Sequence, residues 1–371
     1  MIRRKFMTAS AATAGVAAVA GVGGEMLTKK QPASAASAPM ATNPVSPKSA
    51  GASTPAAAAK PKALPEPAQI DNIPGVSPFF TPNNQFYRVD TSLLVPQLST
   101  AGWQLKIHGM VDKPITINYS ELSKMAMMEH DVTLTCVSES VGGGYIGNAR
   151  WTGTLLAPIL RQAGLQSGAQ QIVMRDGNGM TIGAAVDPIM DGRNSMLAIA
   201  MNGQPLPPEH GFPVRVVVPG IYGYVSACKW VVDMEVTTFG AYTAYWSLAS
   251  HGSWSQQGPI KTESRIDVPK TNASVKAGTT AIAGVAWAQH TGVAGVEVST
   301  DGGMNWHTAT LPAQDTIDTW RQWYYMWDAT PGQYTIMVRA TDQTGYTQTS
   351  VKHRTEPNGA TGYHTINVTV A

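Results

Sequence analysis

A change in the spacing of apolar residues near Ile266 constrains the fold of this chain more than any other feature. Before that point, strand-like alternation is mixed with stretches typical of helices. After it, only short alternating runs appear, separated by turn signals such as Asp301-Gly302-Gly303. The sequence therefore predicts an α+β protein, with a mixed α/β domain over residues 70–257 and an all-β, immunoglobulin-like sandwich over residues 258–371.

The predicted elements follow from local patterns. Tyr119 opens a helix, and residues 152–163 are expected to be helical, with a stop at Gly164. Strands of the first domain are predicted where residues alternate or are β-branched, at 103–109, 131–136, 214–219 and 230–236. In the second domain the short alternating runs predict strands at 280–287, 295–299, 323–327, 334–340 and 364–370.

Composition excludes several classes of protein. The formal net charge of +2 and the small charged fraction argue against a nucleic-acid partner, since the chain lacks a basic surface for phosphates. Two cysteines cannot form a disulfide scaffold, so packed apolar cores must provide the stability.

The N-terminus has the pattern of a targeting segment. Residues 1–30 carry the pair Arg3-Arg4 followed by a stretch rich in Ala, Gly and Val, which is similar to a twin-arginine export signal. Ile2 stands where such signals usually have a hydroxyl residue, and an ordinary signal peptide or a membrane anchor are the alternatives. Residues 31–69 form an Ala/Pro-rich linker that is expected to be disordered. We therefore expect a periplasmic protein.

Cys136 is a candidate ligand for a metal cofactor. It ends a strand-like run and precedes the glycine-rich segment 141–147, whose backbone N–H groups can approach a large anion closely. A thiolate is a soft ligand, which suits such a metal. Two simpler interpretations remain open from these residues alone: a buried cysteine that packs as a small apolar residue, or a disulfide with Cys228.

Longer motifs show a family resemblance. The run Met-Asn-Gly-Gln-Pro-Leu-Pro-Pro-Glu-His-Gly-Phe-Pro-Val-Arg-Val-Val-Val-Pro-Gly at 201–220, together with Lys229-Trp230 and Ala-Arg-Trp-Thr-Gly at 149–153, resembles the sulfite oxidase family of molybdopterin-dependent oxidoreductases. Residues 299–306 and 339–345 resemble that family's C-terminal dimerisation domain. The resemblance extends over nearly the whole chain from Phe79 onward.

The resemblance implies a molybdenum–molybdopterin cofactor with Cys136 as the metal ligand and Tyr245 as a catalytic tyrosine near the reacting oxygen. The residues that it implies around the pterin are Asn83, Asn84, Asp176, His210, Arg215, Ser226 and Lys229. Cys228 then becomes a spare buried cysteine.

Three of these assignments have alternatives. Arg215 could instead pair with Glu209 or Asp233, and Asp176 could cap the turn before Gly177. Tyr245 could belong to an aromatic cluster with Tyr242 and Trp246.

Two departures from the family pattern bear on the substrate. Pro82 replaces an arginine that family members use to bind sulfite, and Glu139 lies where sulfite-oxidising members carry an Asn-Arg-Arg run. Residues 83–87 look more like the periplasmic methionine-sulfoxide reductase subunit, which lacks the C-terminal sandwich. The resemblance therefore implies two-electron oxygen-atom transfer on a small sulfur compound or an S- or N-oxide. Sulfite dehydrogenation and a non-catalytic scaffold with a degenerate cofactor site are the alternatives.

The implied partners are a small-molecule substrate and a separate electron-transfer protein. No Cys-x-x-Cys-His haem motif occurs in the sequence, so electrons must pass to or from a protein such as a c-type cytochrome or a membrane quinone-linked subunit. The second domain would either form a homodimer, as in the family, or pack on the first domain.

Overall fold

The computed structural model describes residues 61–90 and 94–371 of the chain. The predicted signal segment and most of the predicted linker lie outside these residues. Within them, no helix is both long enough and apolar enough to cross a membrane. Residues 61–69 form neither helix nor strand. However, Arg150 Nη2 donates to the Pro65 carbonyl at 2.9 Å, so the end of the predicted linker contacts the first domain.

The first domain contains short helices and two sheets. The helices are α1 (Tyr119–Leu122), α2 (Leu156–Ala163) and α3 (Val186–Met190). The strands in chain order are β1 (Gln104–Gly109), β2 (Ile115–Asn118), β3 (Met127–Thr135), β4 (Ile146–Leu155), β5 (Gln171–Asp176), β6 (Thr181–Ala185), β7 (Met196–Met201), β8 (Gln204–Pro205), β9 (Arg215–Val217) and β10 (Val231–Thr237).

Two apolar cores stabilise the first domain, and the larger one includes residues of both sheets. One sheet has the order β2-β1-β10-β5-β6, and the other has β3-β4-β7-β8 with β9 paired to β7. Leu105, Ile107 and Met174 belong to the larger core, and Val132 and Trp151 belong to the smaller one. Apolar residues of β1, β3 and β10, which the alternation predicted as strands, contribute to these cores together with residues of the helices.

Helix α2 begins later than the sequence predicts. Residues 152–155 complete β4 instead, because β4 pairs with β7 up to Leu155. Gly153 has no room for a side chain there, since a Cβ would lie 2.2 Å from the Leu197 carbonyl oxygen. The helix ends as expected at Gly164, whose φ of 74° is the left-handed conformation that favours glycine at a helix C-terminus.

The second domain is built from strands. In chain order they are β11 (Glu263–Val268), β12 (Ser274–Val275), β13 (Gly278–Trp287), β14 (Val293–Ser299), β15 (His307–Thr308), β16 (Arg321–Ala329), β17 (Gly332–Asp342) and β18 (His364–Val370). They form a sheet of order β11-β13-β16 and a sheet of order β12-β18-β17-β14-β15. Ile282 and Trp323 of the first sheet share one apolar core with Val298 and Ile336 of the second. The predicted strands at 280–287, 295–299, 323–327, 334–340 and 364–370 all fall within these strands.

The second domain holds the strand that leads to Cys136. The backbone N–H of Thr133 on β3 donates to the Asp318 carbonyl at 3.0 Å, and the Thr133 carbonyl accepts from Gln289 Nε2 at 3.1 Å. The Thr133 hydroxyl also accepts from the Trp320 N–H at 2.8 Å. Three contacts from the second domain therefore fix this strand of the first.

Candidate functional site

A cavity with about 930 Å³ of empty space, counting its open mouth, lies in the first domain. Its walls come from segments that are far apart in sequence, at residues 86–90, 134–138, 176–182 and 210–230. Trp246 and Trp254 complete the lining. Among the predicted site residues, the lining includes Cys136, Asp176, His210, Arg215 and Lys229.

Cys136 directly follows β3 and is buried, with 7% of its surface exposed. Its backbone N–H donates to the Tyr145 carbonyl at 2.9 Å, and its Sγ accepts from the Ser138 N–H at 3.4 Å. Burial raises the pKa of the thiol, although the Ser138 hydrogen bond opposes this. The thiolate form therefore needs a further positive partner, and a coordinated metal would provide it.

Cys136 and Cys228 both have free thiols, so the alternative of a disulfide between them is wrong. Cys228 is buried as expected, with 1% exposure, but it also lines the cavity. Burial raises the pKa of its thiol well above the ordinary range.

Glu139 follows Cys136 closely and has an unusual environment. Its Oε2 accepts a short hydrogen bond from the Tyr145 N–H, while its Oε1 is buried without a partner in the described part of the chain. Burial raises the pKa of this carboxyl to about 7. Glu139 is therefore only partly ionised near neutral pH, and its expected repulsion of sulfite is weaker than the sequence suggests.

His210 and Arg215 are brought together by a tight turn. The turn Pro208–His210 ends at Gly211, which has a φ of 110°. A Cβ on Gly211 would lie 3.0 Å from the Arg215 Cβ and 3.1 Å from the Lys229 Cβ. This glycine therefore allows the close approach of both cationic residues.

Arg215 is a buried cation without a counter-ion. Its Nη1 donates to the His210 carbonyl at 3.2 Å, and its guanidinium lies 4.9 Å from the centre of the Trp151 ring. Its Nε has no partner among residues 61–90 and 94–371. Burial lowers the pKa of Arg215 to about 10.

The alternative ion pair of Arg215 with Asp233 does not form. Asp233 instead pairs with Arg175 at 2.6 Å and with His108 at 2.9 Å. No salt bridge joins Arg215 to Glu209 or to any other carboxylate that the structure describes. A buried, unpaired guanidinium is costly to the folded protein, and an anionic ligand would offset that cost.

His210 is buried, and one of its ring nitrogens already makes a hydrogen bond within the protein. Its Nε2 donates to the Asn83 carbonyl at 2.9 Å, which leaves Nδ1 as the acceptor in the neutral ring. Burial, with a smaller effect from Arg215, lowers the pKa of His210. The ring is therefore neutral near pH 7 and can accept a hydrogen bond from a ligand.

Lys229 lies beside Arg215 but is paired. Its Nζ donates to Asp90 Oδ2 at 2.7 Å and to the Glu209 carbonyl at 3.3 Å. Burial lowers the pKa of the amine to about 8, against the opposing effect of Asp90. Lys229 is therefore a cation near neutral pH that loses its charge in mild alkali.

Asp176 caps a turn and also lines the cavity, so its position is compatible with both roles that the sequence left open. Its Oδ1 accepts from the N–H groups of Asn178 and Met180 at 2.8 Å and 3.0 Å, which caps the turn between β5 and β6. The residue is also buried in the cavity wall. Its second oxygen can therefore accept a hydrogen bond from a ligand while the first holds the turn.

Asn83 and Asn84 were predicted to contact the pterin, but the structure does not place them in the cavity lining. The Asn83 side chain donates to the Met201 carbonyl at 3.2 Å and accepts from Asn202 Nδ2 at 2.8 Å. Only its backbone carbonyl acts on the site, through His210. The Asn84 side chain is exposed.

Ser226 and Tyr245 also lie outside the lining. The Ser226 hydroxyl donates to the carbonyls of Ile221 and Tyr222, both at 3.0 Å. The Tyr245 ring stacks against His251 at 3.9 Å and meets the edge of Trp246 at 5.1 Å. This geometry corresponds to the aromatic-cluster alternative for Tyr245.

The aromatic wall of the cavity was missed by the sequence reasoning. Tyr224, Trp246 and Trp254 pack around Val137, next to Cys136, and Tyr87 completes this wall. No local motif marks the two tryptophans, because only the folded chain brings them to Cys136. Tyr87 does lie in the 83–87 run that the sequence singled out.

The cavity fits the implied cofactor by its chemistry. It presents a soft thiol, an unpaired guanidinium, an amine and a neutral imidazole in its lining. In the region that the structure covers, no three His, Cys, Asp or Glu side chains cluster as a metal site of their own. One thiolate from Cys136, with the remaining ligands supplied by the pterin, is consistent with this donor set.

Comparisons with known proteins agree with this chemistry. Residues 92–246 match the oxidoreductase molybdopterin-binding domain, and residues 256–370 match the Mo-co oxidoreductase dimerisation domain. Human mitochondrial sulfite oxidase is 30% identical over 315 residues, covering 72% of this chain and 57% of that protein. The uncharacterized oxidoreductase YuiH of Bacillus subtilis is 32% identical over 135 residues, covering 36% of this chain and 65% of that protein.

The structural similarity extends over both domains. The sulfane dehydrogenase SoxCD from Paracoccus pantotrophus superposes with a TM-score of 0.68 at 22% identity, covering 86% of this chain and 92% of that one. This match shows the shared fold. The chain spans 50% to 57% of the mitochondrial sulfite oxidases that it matches. Both domain models, the sequence relatives and the fold together show that this chain belongs to the sulfite oxidase family of molybdopterin-dependent oxidoreductases.

Proposed function

We propose that this chain catalyses two-electron oxygen-atom transfer on a small, uncharged S- or N-oxide, with molybdenum–molybdopterin as its cofactor. The observation that carries the substrate class is the wall beside Cys136. Val137, Ser138, Tyr224 and Trp254 are neutral side chains, and most of them are apolar. An oxyanion substrate needs a positive wall next to the metal, whereas an uncharged oxide does not.

The residues of the cavity would hold the cofactor as follows. Cys136 would bind the metal through its thiolate, and Arg215 with Lys229 would hold the pterin phosphate. His210 Nδ1 and the free oxygen of Asp176 would accept hydrogen bonds from the pterin ring. When bound, the cofactor supplies a two-electron metal centre that exchanges an oxygen atom between substrate and water.

Burial of the site has two consequences for the protein. The raised pKa of Cys136 means that the thiol must lose a proton when it binds metal, so loading releases a proton and is favoured by higher pH. The aromatic wall of Tyr87, Tyr224, Trp246 and Trp254 limits the entry of water beside that thiol.

Metal analysis and two activity assays test this proposal. Purified full-length protein is expected to contain molybdenum and pterin in equal amounts. It should reduce dimethyl sulfoxide or methionine sulfoxide with reduced viologen faster than it oxidises sulfite with cytochrome c. A folded, full-length preparation that binds no molybdenum and no pterin would contradict the proposal. An electron paramagnetic resonance spectrum of the reduced protein then reports the sulfur ligation of the metal.

Sulfite oxidation is the second candidate, and one observation favours it. The buried Glu139 carboxyl, with a pKa of about 7, carries less negative charge than its position in the sequence suggests. Pro82, the other departure, is exposed and does not line the cavity. Faster sulfite oxidation than oxide reduction in the same pair of assays would select this function.

A non-catalytic scaffold is the candidate from a different class. In such a protein a buried, unpaired Arg215 would destabilise the folded state, because no anion would bind to offset the cost of burying its charge. The presence of Arg215 in the cavity therefore argues against a scaffold. Identical properties of the parent and a Cys136→Ser variant would favour the scaffold.

We further propose that the second domain is immunoglobulin-like and forms a homodimer. Its two facing sheets with one shared core support the first statement, and the match to a dimerisation domain supports the second. Analytical ultracentrifugation distinguishes a dimer from a monomer whose second domain packs only on the first.

Location and electron partner complete the proposal. A twin-arginine signal in residues 1–30 would export the chain, already folded with its cofactor, to the periplasm. There a c-type cytochrome or a membrane quinone-linked subunit would exchange its electrons. Fractionation of cells that carry an Arg3-Arg4 to Lys-Lys variant tests the export route, since retention in the cytoplasm is the expected result.

A further inference from the structure

Two tyrosines line the cavity, and within the described part of the chain the hydroxyl of only one of them makes a hydrogen bond. Tyr224 Oη donates to the Ser255 carbonyl at 2.5 Å. Tyr87 Oη makes no hydrogen bond with any residue that the structure describes. Tyr245, the tyrosine that the sequence predicted for the reaction, stacks on His251 outside the cavity lining. Tyr87 is therefore the tyrosine in the cavity wall whose hydroxyl hydrogen remains available.

The Tyr87 hydroxyl lies close to the metal-binding end of the cavity. A Cβ built on Gly223 would be 3.7 Å from Tyr87 Oη and 3.8 Å from the carbonyl oxygen of Thr135. The hydroxyl and the carbonyl oxygen of the residue directly before Cys136 are therefore both within 4 Å of the same position. A Cβ at position 223 would meet both oxygen atoms at ordinary van der Waals distances.

The ring of Tyr87 is held in place by its neighbours. It stacks on Phe86 with ring centres 5.3 Å apart. Phe86 in turn meets the edges of Trp151 at 5.8 Å and of His210 at 5.7 Å. A hydroxyl on so constrained a ring has a defined direction, so it can distinguish one ligand atom from another.

The surroundings also keep this hydroxyl protonated. Burial, with a smaller effect from the Cys136 thiol, raises the pKa of Tyr87 far above its usual range, while Arg215 opposes the change. Tyr87 therefore remains a hydrogen-bond donor at every pH at which an enzyme assay is practical.

We propose that Tyr87 donates its hydroxyl hydrogen bond to the oxygen of the oxide substrate, and thereby selects oxides over the corresponding reduced thioethers. This inference rests on the proposed oxide reductase function. The aromatic wall contacts the oxide and the thioether alike, since they share the same carbon groups. Only the oxide carries an acceptor for Tyr87, and an unpaired acceptor in a buried site is costly.

Tyr87→Phe is the direct test, with Tyr145→Phe as the matched control. Tyr145 lies on the loop after Cys136, its side chain is 42% exposed, and it is not in the cavity lining. Binding of dimethyl sulfoxide and of dimethyl sulfide to the cofactor-loaded proteins is measured by tryptophan fluorescence, because Trp246 and Trp254 line the cavity. Molybdenum content and the KM and kcat for dimethyl sulfoxide are measured in the same preparations.

Tyr87→Phe is expected to bind dimethyl sulfoxide about tenfold more weakly, which corresponds to the loss of about one hydrogen bond. Its affinity for dimethyl sulfide should change less than about twofold. Molybdenum content should remain that of the parent, and Tyr145→Phe should match the parent throughout.

Three results would overturn the inference. Equal affinity of the parent and Tyr87→Phe for dimethyl sulfoxide shows that the hydroxyl does not contact the oxide oxygen. Loss of molybdenum in Tyr87→Phe shows that the residue holds the cofactor instead. If the loaded parent neither binds nor reduces any oxide, the proposed function itself is wrong, and the role of Tyr87 is lost with it.

Discussion

Two groups of residues in the cavity wall differ in charge, although both are buried. Near Cys136 the walls are aromatic or hydroxyl-bearing, and the nearby Glu139 has a pKa of about 7. In the second group, Arg215 has no counter-ion among the residues that the structure describes, and Lys229 lies beside it. Burial of a charge is costly, so a folded protein keeps an unpaired cation where an anion will join it. The difference indicates that the second group holds an anionic group and that the first receives a neutral molecule.

Among the variants that test this comparison, replacement of Cys136 should cause the largest loss of molybdenum and of activity. Cys136→Ser removes the soft ligand, and we expect molybdenum content and activity to fall by at least about a hundredfold, since even indirect changes at metal sites cost that much. Cys228→Ser is the matched control, because that thiol lies in the same cavity but is not the proposed ligand. Metal analysis by mass spectrometry measures both variants. Equal metal losses in the two would contradict the assignment of Cys136.

Replacing Arg215 should separate cofactor binding from stability. Arg215→Met removes the unpaired cation, so cofactor affinity should fall by about a hundredfold. The cofactor-free protein should instead become more stable, by about 1 to 2 kcal/mol, because the cost of the buried charge disappears. Urea unfolding of cofactor-free protein measures the second effect.

Arg175→Met is the control for this experiment, since Arg175 is paired with Asp233 and Glu235. It should lose stability instead of gaining it. A loss of stability in Arg215→Met of the same size would show that Arg215 is satisfied by contacts within the protein.

Glu139, near the neutral group of wall residues, should make the free energy of unfolding depend on pH. Its folded pKa of about 7 lies above the ordinary value of 4.5, so the ionised carboxyl is disfavoured in the folded state. Its contribution to stability is full below about pH 4.5 and is lost as the pH rises toward 7, by about 3 kcal/mol in total. Glu139→Gln should remove this part of the pH dependence. Chemical unfolding at pH 5 and pH 8 measures it, and parallel pH profiles of variant and parent would count against the neutral carboxyl.

Loss of the charge on Lys229 should give the smallest effect, measured as a change in cofactor retention with pH. Its pKa of about 8 means that only about a tenth of the amines are charged at pH 9, so an anion should be held about tenfold more weakly than at pH 7. Lys229→Arg keeps its charge through this range and should retain cofactor equally at both values. Pterin fluorescence after gel filtration at each pH measures the retention. Faster release from the parent at pH 7 than at pH 9 would reverse the expected sign.

Part of the predicted set of site residues is brought together by the fold. Cys136, Asp176, His210, Arg215 and Lys229 all line one cavity, as their motifs implied. These residues follow strands or tight turns, whose local patterns fix the direction of the chain. Motif and local geometry therefore agree for them.

Other assignments depended on contacts that local patterns do not contain. Asn83 and Ser226 have polar groups that bind backbone carbonyls distant in sequence or across a turn, and Tyr245 stacks on a histidine. Helix α2 starts late because β4 continues to pair with β7 up to Leu155. In each case a tertiary contact decided the outcome over the local preference.

Thr133 illustrates why the two domains are one folding unit. Its N–H, carbonyl and hydroxyl all bond to residues of the sandwich, three positions before Cys136. A chain shortened to end at residue 257 would leave these buried groups without partners, and the end of β3 would lose its anchorage. A reductase that works without a sandwich must therefore secure the corresponding strand by some other means. Exchanging first domains between the two architectures should fail unless this strand and its supports move together.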